Sequence, residues 1–508
     1  MKSKLNTAVL LVFLVAVLLC PSVYASDWAT SVHDYHNLGP IPYDDPLSVV
    51  GKPTTLILDL GSTTFHCSMV YSAWNTAPDG SKLIATIEGY DDENPTVEDH
   101  GYIVVEFDPV IWDDPENWYG KKDFIVFGNS LFTGNGYVEK DTNMEDHTIK
   151  NGAEGSWEPM TVSVSQDGAV WYPYTDGPYA DDYAPTQSFA WDWVEDTWGC
   201  ELDFTKPVPS SWTKSDFAGK SVAEAIDMFR ASGGGTAFDL ADVGLQWIRY
   251  VKVTADILDE DEFVIEGQLD AIVRVGHTSS PVSVSDTKKM PDGTHVVLEE
   301  AVVSAGTFEV GRYCYVQHPD RSCGIRVAGR VLDRGQQVVV YGVTDTVGGE
   351  RVIRSTALEA AGGPADVAAV GMPNRDLGGG DFCYDPGQGT GQSGVVDGIG
   401  LNNIGLLVRT WGRVKSADPG SKTFVIDDGS GRDIKCVGPR RLPYPDDPPN
   451  PTNPDWGAEP DPDFSLPAQD AYVSVTGISS CEVSGQSELV SVVRLRDQHD
   501  LKNMQPGP

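Results

Sequence analysis

The chain has 508 residues, 75 acidic against 36 basic side chains, a formal charge of −39 and 40% hydrophobic residues. Such a length implies two to four domains with cores of their own, and a 22% charged, 9% aromatic composition excludes wholesale disorder. The charge excludes a chain-wide polyanion-binding role, because phosphate recognition depends on a positive face.

At the N-terminus, Lys2 and Lys4 precede an uncharged apolar run from Ala8 to Leu19, and Val23-Tyr24-Ala25 supplies a small-residue end. This is the pattern of an export signal over residues 1–25, cleaved after Ala25; the run is short beside the roughly 20 residues of a membrane span. No second apolar stretch of spanning length follows. The expectation is an exported protein, secreted or at the cell surface, with no transmembrane segment once the signal is removed.

Cys20 would leave with the signal, and Cys67, Cys200, Cys314, Cys323, Cys383, Cys436 and Cys481 remain, an odd number. Cys314 and Cys323 flank the turn-like Gln317-His318-Pro319-Asp320. Opposite each other across two strands they would lie near disulfide range. Further pairings are Cys436–Cys481 and Cys67–Cys200. No Cys/His spacing suits a structural zinc.

Residues 26–280 read as an acidic β-rich domain. Between 26 and 285 there are 45 acidic and 13 basic side chains, a net of −32, against −9 for residues 286–508. Strands are expected over Tyr102–Phe107, Asp123–Phe127, Thr161–Ser165, Ile248–Val253 and Leu269–Val273. Gln166-Asp167-Gly168 before Val170-Trp171-Tyr172 is a hairpin signal, since glycine accepts the positive φ of the turn. One helix interrupts the strands: Ser221-Val222-Ala223-Glu224 is a capping box, and Gly233-Gly234-Gly235 ends it. Many strands with one helix argue for a β-sandwich.

The Val162–Gly168 strand and hairpin with Trp171, the Arg249–Val253 strand and the closing Leu269–Val273 strand together resemble those of discoidin-like (galactose-binding-like) jelly-roll domains. The resemblance covers roughly residues 100–275 and implies a jelly-roll-like sandwich. The acidic stretches at 91–99 and 255–262 are not part of that pattern.

The second half contains a repeat. Val302–Ala305, Tyr313–Val316 and Gly324–Gly329 begin one copy; Val414–Ala417, Thr423–Gly429 and Asp433–Gly438 begin the other. Each continues to a Val-rich strand, Gln337–Val343 or Ala471–Ile478, and a last strand around Val352-Ile353 or Leu489–Val493. Five strands with a bent first strand is the OB arrangement, and Tyr315 through Val327 resembles a hairpin of secreted bacterial OB-like repeats. The expected fold is therefore all-β: a jelly-roll-like sandwich followed by two OB-like five-stranded barrels, at 286–360 and 404–500. A Gly-rich linker, 361–403, joins them. The second barrel carries a Pro-rich insertion, 443–467, with nine prolines in 25 residues.

Candidate chemistry follows from residue type. Asp123, Glu158, Asp239, Asp242 and Asp270 lie near expected strand ends; they either remain a solvated acidic surface or converge on a structural Ca²⁺, which takes six to eight oxygens. A carboxylate pair in the first domain would serve glycoside hydrolysis, though 45 acids make some close pair inevitable. No nucleophile elbow, HExxH helix or phosphate loop is present. Exposed aromatics would stack on sugar rings, with Trp157, Trp191 and Trp193 the expected ligand-binding residues. Residues 404–441 carry eight basic and four acidic groups, but export places single-stranded nucleic acid out of reach. The expected function is thus a non-enzymatic binding protein of the cell exterior, recognising a glycan or surface polymer, with other surface proteins as further partners. The alternatives are a secreted glycan-active hydrolase and a purely structural surface or matrix protein.

Overall fold

The computed structural model describes residues 27–37, 45–54, 69–70, 84–87, 100–117, 120–138, 142–258, 265–276, 281–441, 459–485 and 488–504, and the backbone of a short strand pair, Ile57–Leu58 with Thr64–Phe65. The expected export signal, Cys67, the acidic stretch 91–99 and most of the Pro-rich insertion lie outside the described residues. Among the described residues no helix is long and apolar enough to cross a membrane.

The protein is an all-β protein. In the first module, the strands Ser31–His36, Tyr102–Trp112, Trp247–Thr254, Thr161–Ser165 and Tyr172–Pro173 form one antiparallel sheet in that order. A second sheet runs Thr236–Phe238, Phe124–Gly128, Gly267–Arg274, Ala85–Ile87. Alternation drives their packing: Val162, Val164, Val251 and Val253 of the first sheet point the same way and share one core with Phe124, Val126, Leu269 and Ile272 of the second. The hairpin after Ser165 is wider than a two-residue turn, because the Asp167 carboxylate accepts the amides of Ala169 and Val170, both at 2.9 Å.

The helix Val222–Met228 starts where the capping box places it, with Ser221 Oγ accepting the Glu224 amide (3.1 Å) and the Glu224 carboxylate accepting the Ser221 amide (3.0 Å). Its Val222, Ala223, Ala225 and Ile226 are buried in a second core with Phe132, Trp191, Phe217 and Phe229. That core also includes Tyr341 and Ala357 of the next module. The first module and the barrel after it are thus joined by shared apolar burial rather than by a tether.

The barrel consists of His295–Ala305, Tyr313–Gln317, Gly324–Ala328, Gln337–Val347 and Glu350–Gly362, and closes through the first strand on the fourth. Leu407–Asp418, Thr423–Asp427, Asp433–Val437, Tyr472–Val483 and Leu489–Arg494 repeat the same cycle. In both copies the third and fifth strands are parallel, Arg326 beside Val352 and Lys435 beside Val492. The second copy adds Val370–Gly371 and Leu501–Asn503 at its margins.

The register overturns the expected Cys314–Cys323 bridge. Cys314 sits opposite Val327, whereas the Cys323 carbonyl accepts the His318 amide at the foot of the turn. Four residues of strand, about 13 Å, separate the two positions, beyond the roughly 7 Å a disulfide spans. The turn is wider than the tetrapeptide suggested, with Asp320 accepting the Ser322 amide at 2.8 Å. Both thiols are free, as are Cys200, Cys383, Cys436 and Cys481. Burial pushes the Cys314 thiol up to about 12, which leaves it unreactive.

The two barrels share a buried carboxylate. Glu350, 3% exposed, accepts the Tyr315 hydroxyl (2.7 Å) and the Cys481 amide (3.1 Å), and also the Ser480 hydroxyl. Gly324 lies so close to the second barrel that a Cβ there would sit 2.2 Å from the Gly405 carbonyl oxygen. The Gly-rich stretch 361–403 connects the barrels but is not a free spacer: Leu377, Gln392, Val395 and Asn403 are buried, with Gln392 accepting the Arg351 amide (2.8 Å) and Asn403 the Gly378 amide (2.9 Å).

At the junction of the first module with the first barrel lies Arg330, 2% exposed. Its guanidinium pairs with Asp227 on the helix at 2.7 Å and donates to Ser355 Oγ and to the Thr356 carbonyl. Removing the carboxylate leaves a buried, uncompensated cation. Asp227→Ala is therefore expected to destabilise the protein by about 3–5 kcal/mol, read by calorimetry as a lowered first unfolding transition; an unchanged transition would refute the junction's role.

Candidate functional site

Between the first module and the first barrel is a cleft of about 580 Å³, within the size range of ligand-binding clefts. One wall is the segment from Lys206 to Trp212, where Pro207 and Pro209 remove amide donors and keep the chain out of the sheets. The opposite wall is Tyr341, on a barrel strand whose Val338 and Val340 face the barrel interior. Alternation sends Tyr341 outward onto the first module.

The cleft's polar groups are tightly organised. Lys206, 3% exposed, lies with its ammonium 3.9 Å from the Tyr341 ring centre and donates to the Arg230 carbonyl. The Tyr341 hydroxyl donates to Glu359 (3.1 Å), and Glu359 pairs with Arg230 at 3.0 Å. Burial lowers the Lys206 amine to about 7, partly opposed by Asp203. Burial, with Glu359 beside it, pushes Tyr341 up to about 12. Tyr183 and Trp212 also line the cleft, and the buried Tyr183 hydroxyl and Trp212 indole nitrogen have no hydrogen-bond partner among the described residues. Aromatic rings with amine and guanidinium groups lining one cleft suit a polyhydroxylated ligand.

Sequence reasoning did not reach this site. Its Lys206-Pro207-Val208-Pro209 wall carries no motif, and Tyr341 is one residue of a Val-rich strand. The expected ligand tryptophans are elsewhere, and packed. Trp191 is 2% exposed, donates to Glu145 at 2.9 Å and meets Trp198 edge-on at 5.3 Å. Trp157 packs edge-on against Phe132 at 5.1 Å, with Lys214 over its ring at 4.5 Å, and Trp193 is half-buried against the helix core. They fill the second core because the helix needs apolar area to cover it. Among the described residues the exposed indoles are instead Trp112, at 62%, and Trp411, at 45%.

The five acids expected at a metal site fall into four places. Asp123 and Asp239 do converge, with Asp113, their carboxylate oxygens within 4.8 Å of one another. Asp123 accepts the amides of Asp114 (2.9 Å) and Leu240 (2.7 Å), and Asp239 that of Ala241 (2.9 Å). Burial, opposed by those amides and reinforced by Asp239 and Asp113, raises Asp123 to about 6. Asp242 turns to Lys122, at 3.9 Å. Asp270 is in mid-strand, held by the Thr54 amide and hydroxyl (2.9 and 2.7 Å). Glu158 lies beside Asp181; burial and then Glu266 raise Glu158, and Glu158 in turn adds to the burial that raises Asp181. Side chains committed to such different partners do not converge on one ion.

No protein-family model matches the chain, and no curated protein matches it.

Glu158, Asp181 and Asp270 are all raised chiefly by burial, Glu158 and Asp270 to about 7 and Asp181 well above its ordinary range. An acid whose folded-state value is raised stabilises the fold below its unfolded value and loses that contribution as pH rises through the folded one. The first module should therefore melt lower at pH 8 than at pH 5, and Glu158→Gln should flatten the fall between pH 4.5 and 7.5. Lys206 has the opposite sign: its lowered value makes the fold gain stability from pH 7 upward, a gain that Lys206→Met should remove. Melting curves of both variants across pH 4.5–9.5 check the two slopes separately.

Proposed function

We propose that the protein is a non-enzymatic binding protein of the cell exterior, in which a discoidin-like sandwich and two OB-like barrels together hold a glycan or surface polymer. The single observation that carries this reading is the cleft of about 580 Å³ in which the rings of Tyr183 and Trp212 stand beside the Arg230 side chain. The partly buried rings of Tyr183 and Trp212 supply stacking area at its wall, and Arg230 beside them supplies donors for sugar hydroxyls. Export rests on the N-terminal pattern at 1–25. The first barrel serves as the second wall through Tyr341, and both barrels as contacts for other surface proteins.

A structural Ca²⁺ belongs to the same proposal. Asp113, Asp123 and Asp239 form an all-oxygen set suited to a hard cation, which would relieve the repulsion from Asp239 and Asp113 that adds to the burial raising Asp123. The hydrolase alternative has one observation in its favour, the neighbouring Glu158 and Asp181, each with a carboxylate oxygen lacking a partner. Neither residue lines the cleft, and a carboxylate pair outside the substrate surface cannot attack it.

On a glycan array the full-length protein should retain discrete ligands, and Trp212→Ala should weaken the best of them about tenfold, the ~1.4 kcal/mol scale of an aromatic contact. Uniform silence of the wild type would refute the reading, and turnover of an arrayed polysaccharide that Glu158→Gln abolishes would establish the hydrolase instead. For the metal, chelation should lower the unfolding temperature of the wild type and Ca²⁺ should restore it. Asp113→Asn, which leaves the amide contacts of Asp123 intact, should remove that response.

A further inference from the structure

A second cleft, of about 500 Å³, opens on the other side of Arg330, where all three modules meet. Five of its lining side chains are arginines: Arg312, Arg326 and Arg354 from the first barrel, Arg440 and Arg494 from the second. Three acids share the lining, Asp192, Glu195 and Glu482. In a chain of formal charge −39, a cleft lined with a net excess of two cations runs against the composition.

The pairing of these groups separates one arginine from the rest. Arg312 is bound to Glu195 (2.8 Å), Arg354 to Asp345 (2.6 Å) and Arg494 to Glu482 (3.4 Å). Asp192 is turned to the amides of Val194 and Glu195, at 2.9 and 3.0 Å. Arg326 has no carboxylate within ion-pair distance among the described residues. Its guanidinium lies 3.5 Å from the Tyr313 ring centre, and its Nε has no acceptor.

Strand alternation explains the placement. Ile325 and Val327, 1% and 0% exposed, enter the barrel core, so Arg326 between them stands on the outer face. Tyr313, two residues along the partner strand from Tyr315 opposite Arg326, supports the guanidinium face and leaves its fork to a ligand. The buried Arg326 Nε, left without an acceptor among the described residues, is costly in the absence of an anion.

We infer that this junction cleft is a binding site for an oxyanion group, a carboxylate, sulfate or phosphate ester on a ligand of one or two sugar residues in size, with Arg326 as the group that pairs with it. It is separate from the aromatic cleft, so the chain would hold a neutral and an anionic portion of its ligand, or two ligands, at two surfaces.

Titration calorimetry of the full-length protein at low salt tests this, with trigalacturonate, inorganic sulfate and inorganic phosphate as probes and neutral trigalactose as control. At least one oxyanion should bind with an affinity that falls as salt is raised, and Arg326→Ala should weaken it about tenfold or more. Arg326→Lys keeps the charge and loses the planar fork, and should fall between the two. Which probe binds distinguishes carboxylate from sulfate or phosphate. Arg326 makes no ion pair to lose, so Arg326→Lys should melt close to the wild type and Arg326→Ala should lose only its stacking on Tyr313, and Trp212→Ala should leave oxyanion binding unchanged. Absence of binding by all three oxyanions, or binding that both Arg326 variants retain in full, would overturn the assignment, whatever the glycan array shows for the aromatic cleft.

Discussion

The Arg330–Asp227 pair holds the molecule's functional geometry together. Asp227 stands on the one helix of the first module, and Arg330 just past the third strand of the first barrel; at 2.7 Å they bind two modules across a buried junction. Burial makes the pair stringent. A guanidinium that is 2% exposed must be satisfied completely, so the carboxylate, Ser355 and the Thr356 carbonyl fix its position from three sides. Arg230, three residues after Asp227, lines the aromatic cleft, and Gly329, one residue before Arg330, lines the arginine cleft. Both surfaces are therefore positioned by the same ion pair.

Charge is distributed unevenly for a related reason. The first module carries most of the acidity, yet several of its carboxylates are inside it: Asp181 and Asp270 are each 3% exposed. They are tolerated because amides and hydroxyls accept part of the desolvation, Thr54 for Asp270 and the Ser130 amide for Asp181. The residual strain appears as raised proton affinity rather than as ion pairs. At the barrel junctions the reverse holds, and cations meet paired carboxylates with one guanidinium left over. An acidic protein can thus present a cationic cleft without contradiction, because net charge says nothing about how groups are paired locally.

Local patterns were legible in the amino-acid order wherever a single element decides its own form. The capping box at Ser221–Glu224, the alternating strands Thr161–Ser165 and Trp247–Thr254, and the twofold repeat of five strands all depend on spacing of 2 or 3.6 residues, and each stands where the spacing places it. Register was not legible. A turn wider by two residues moved Cys323 away from Cys314, and nothing in the tetrapeptide between them announced it. Aromatic exposure failed for a similar reason: Trp157, Trp191 and Trp193 sit in loop-like sequence, but the second core needed their area.

By itself the amino-acid order determined an all-β chain, a duplicated barrel, a helix with its start point, and the concentration of acid in the first half, because each of these is a sum or a period along the chain. Only the tertiary structure decided which groups converge. Tyr183, Trp212 and Tyr341 are separated by up to 158 positions, Asp113 and Asp239 by 126, and Arg312 and Arg494 by 182. Contacts over such separations follow from how the modules bury their shared surfaces, and burial between modules leaves no periodic trace in the sequence of either one.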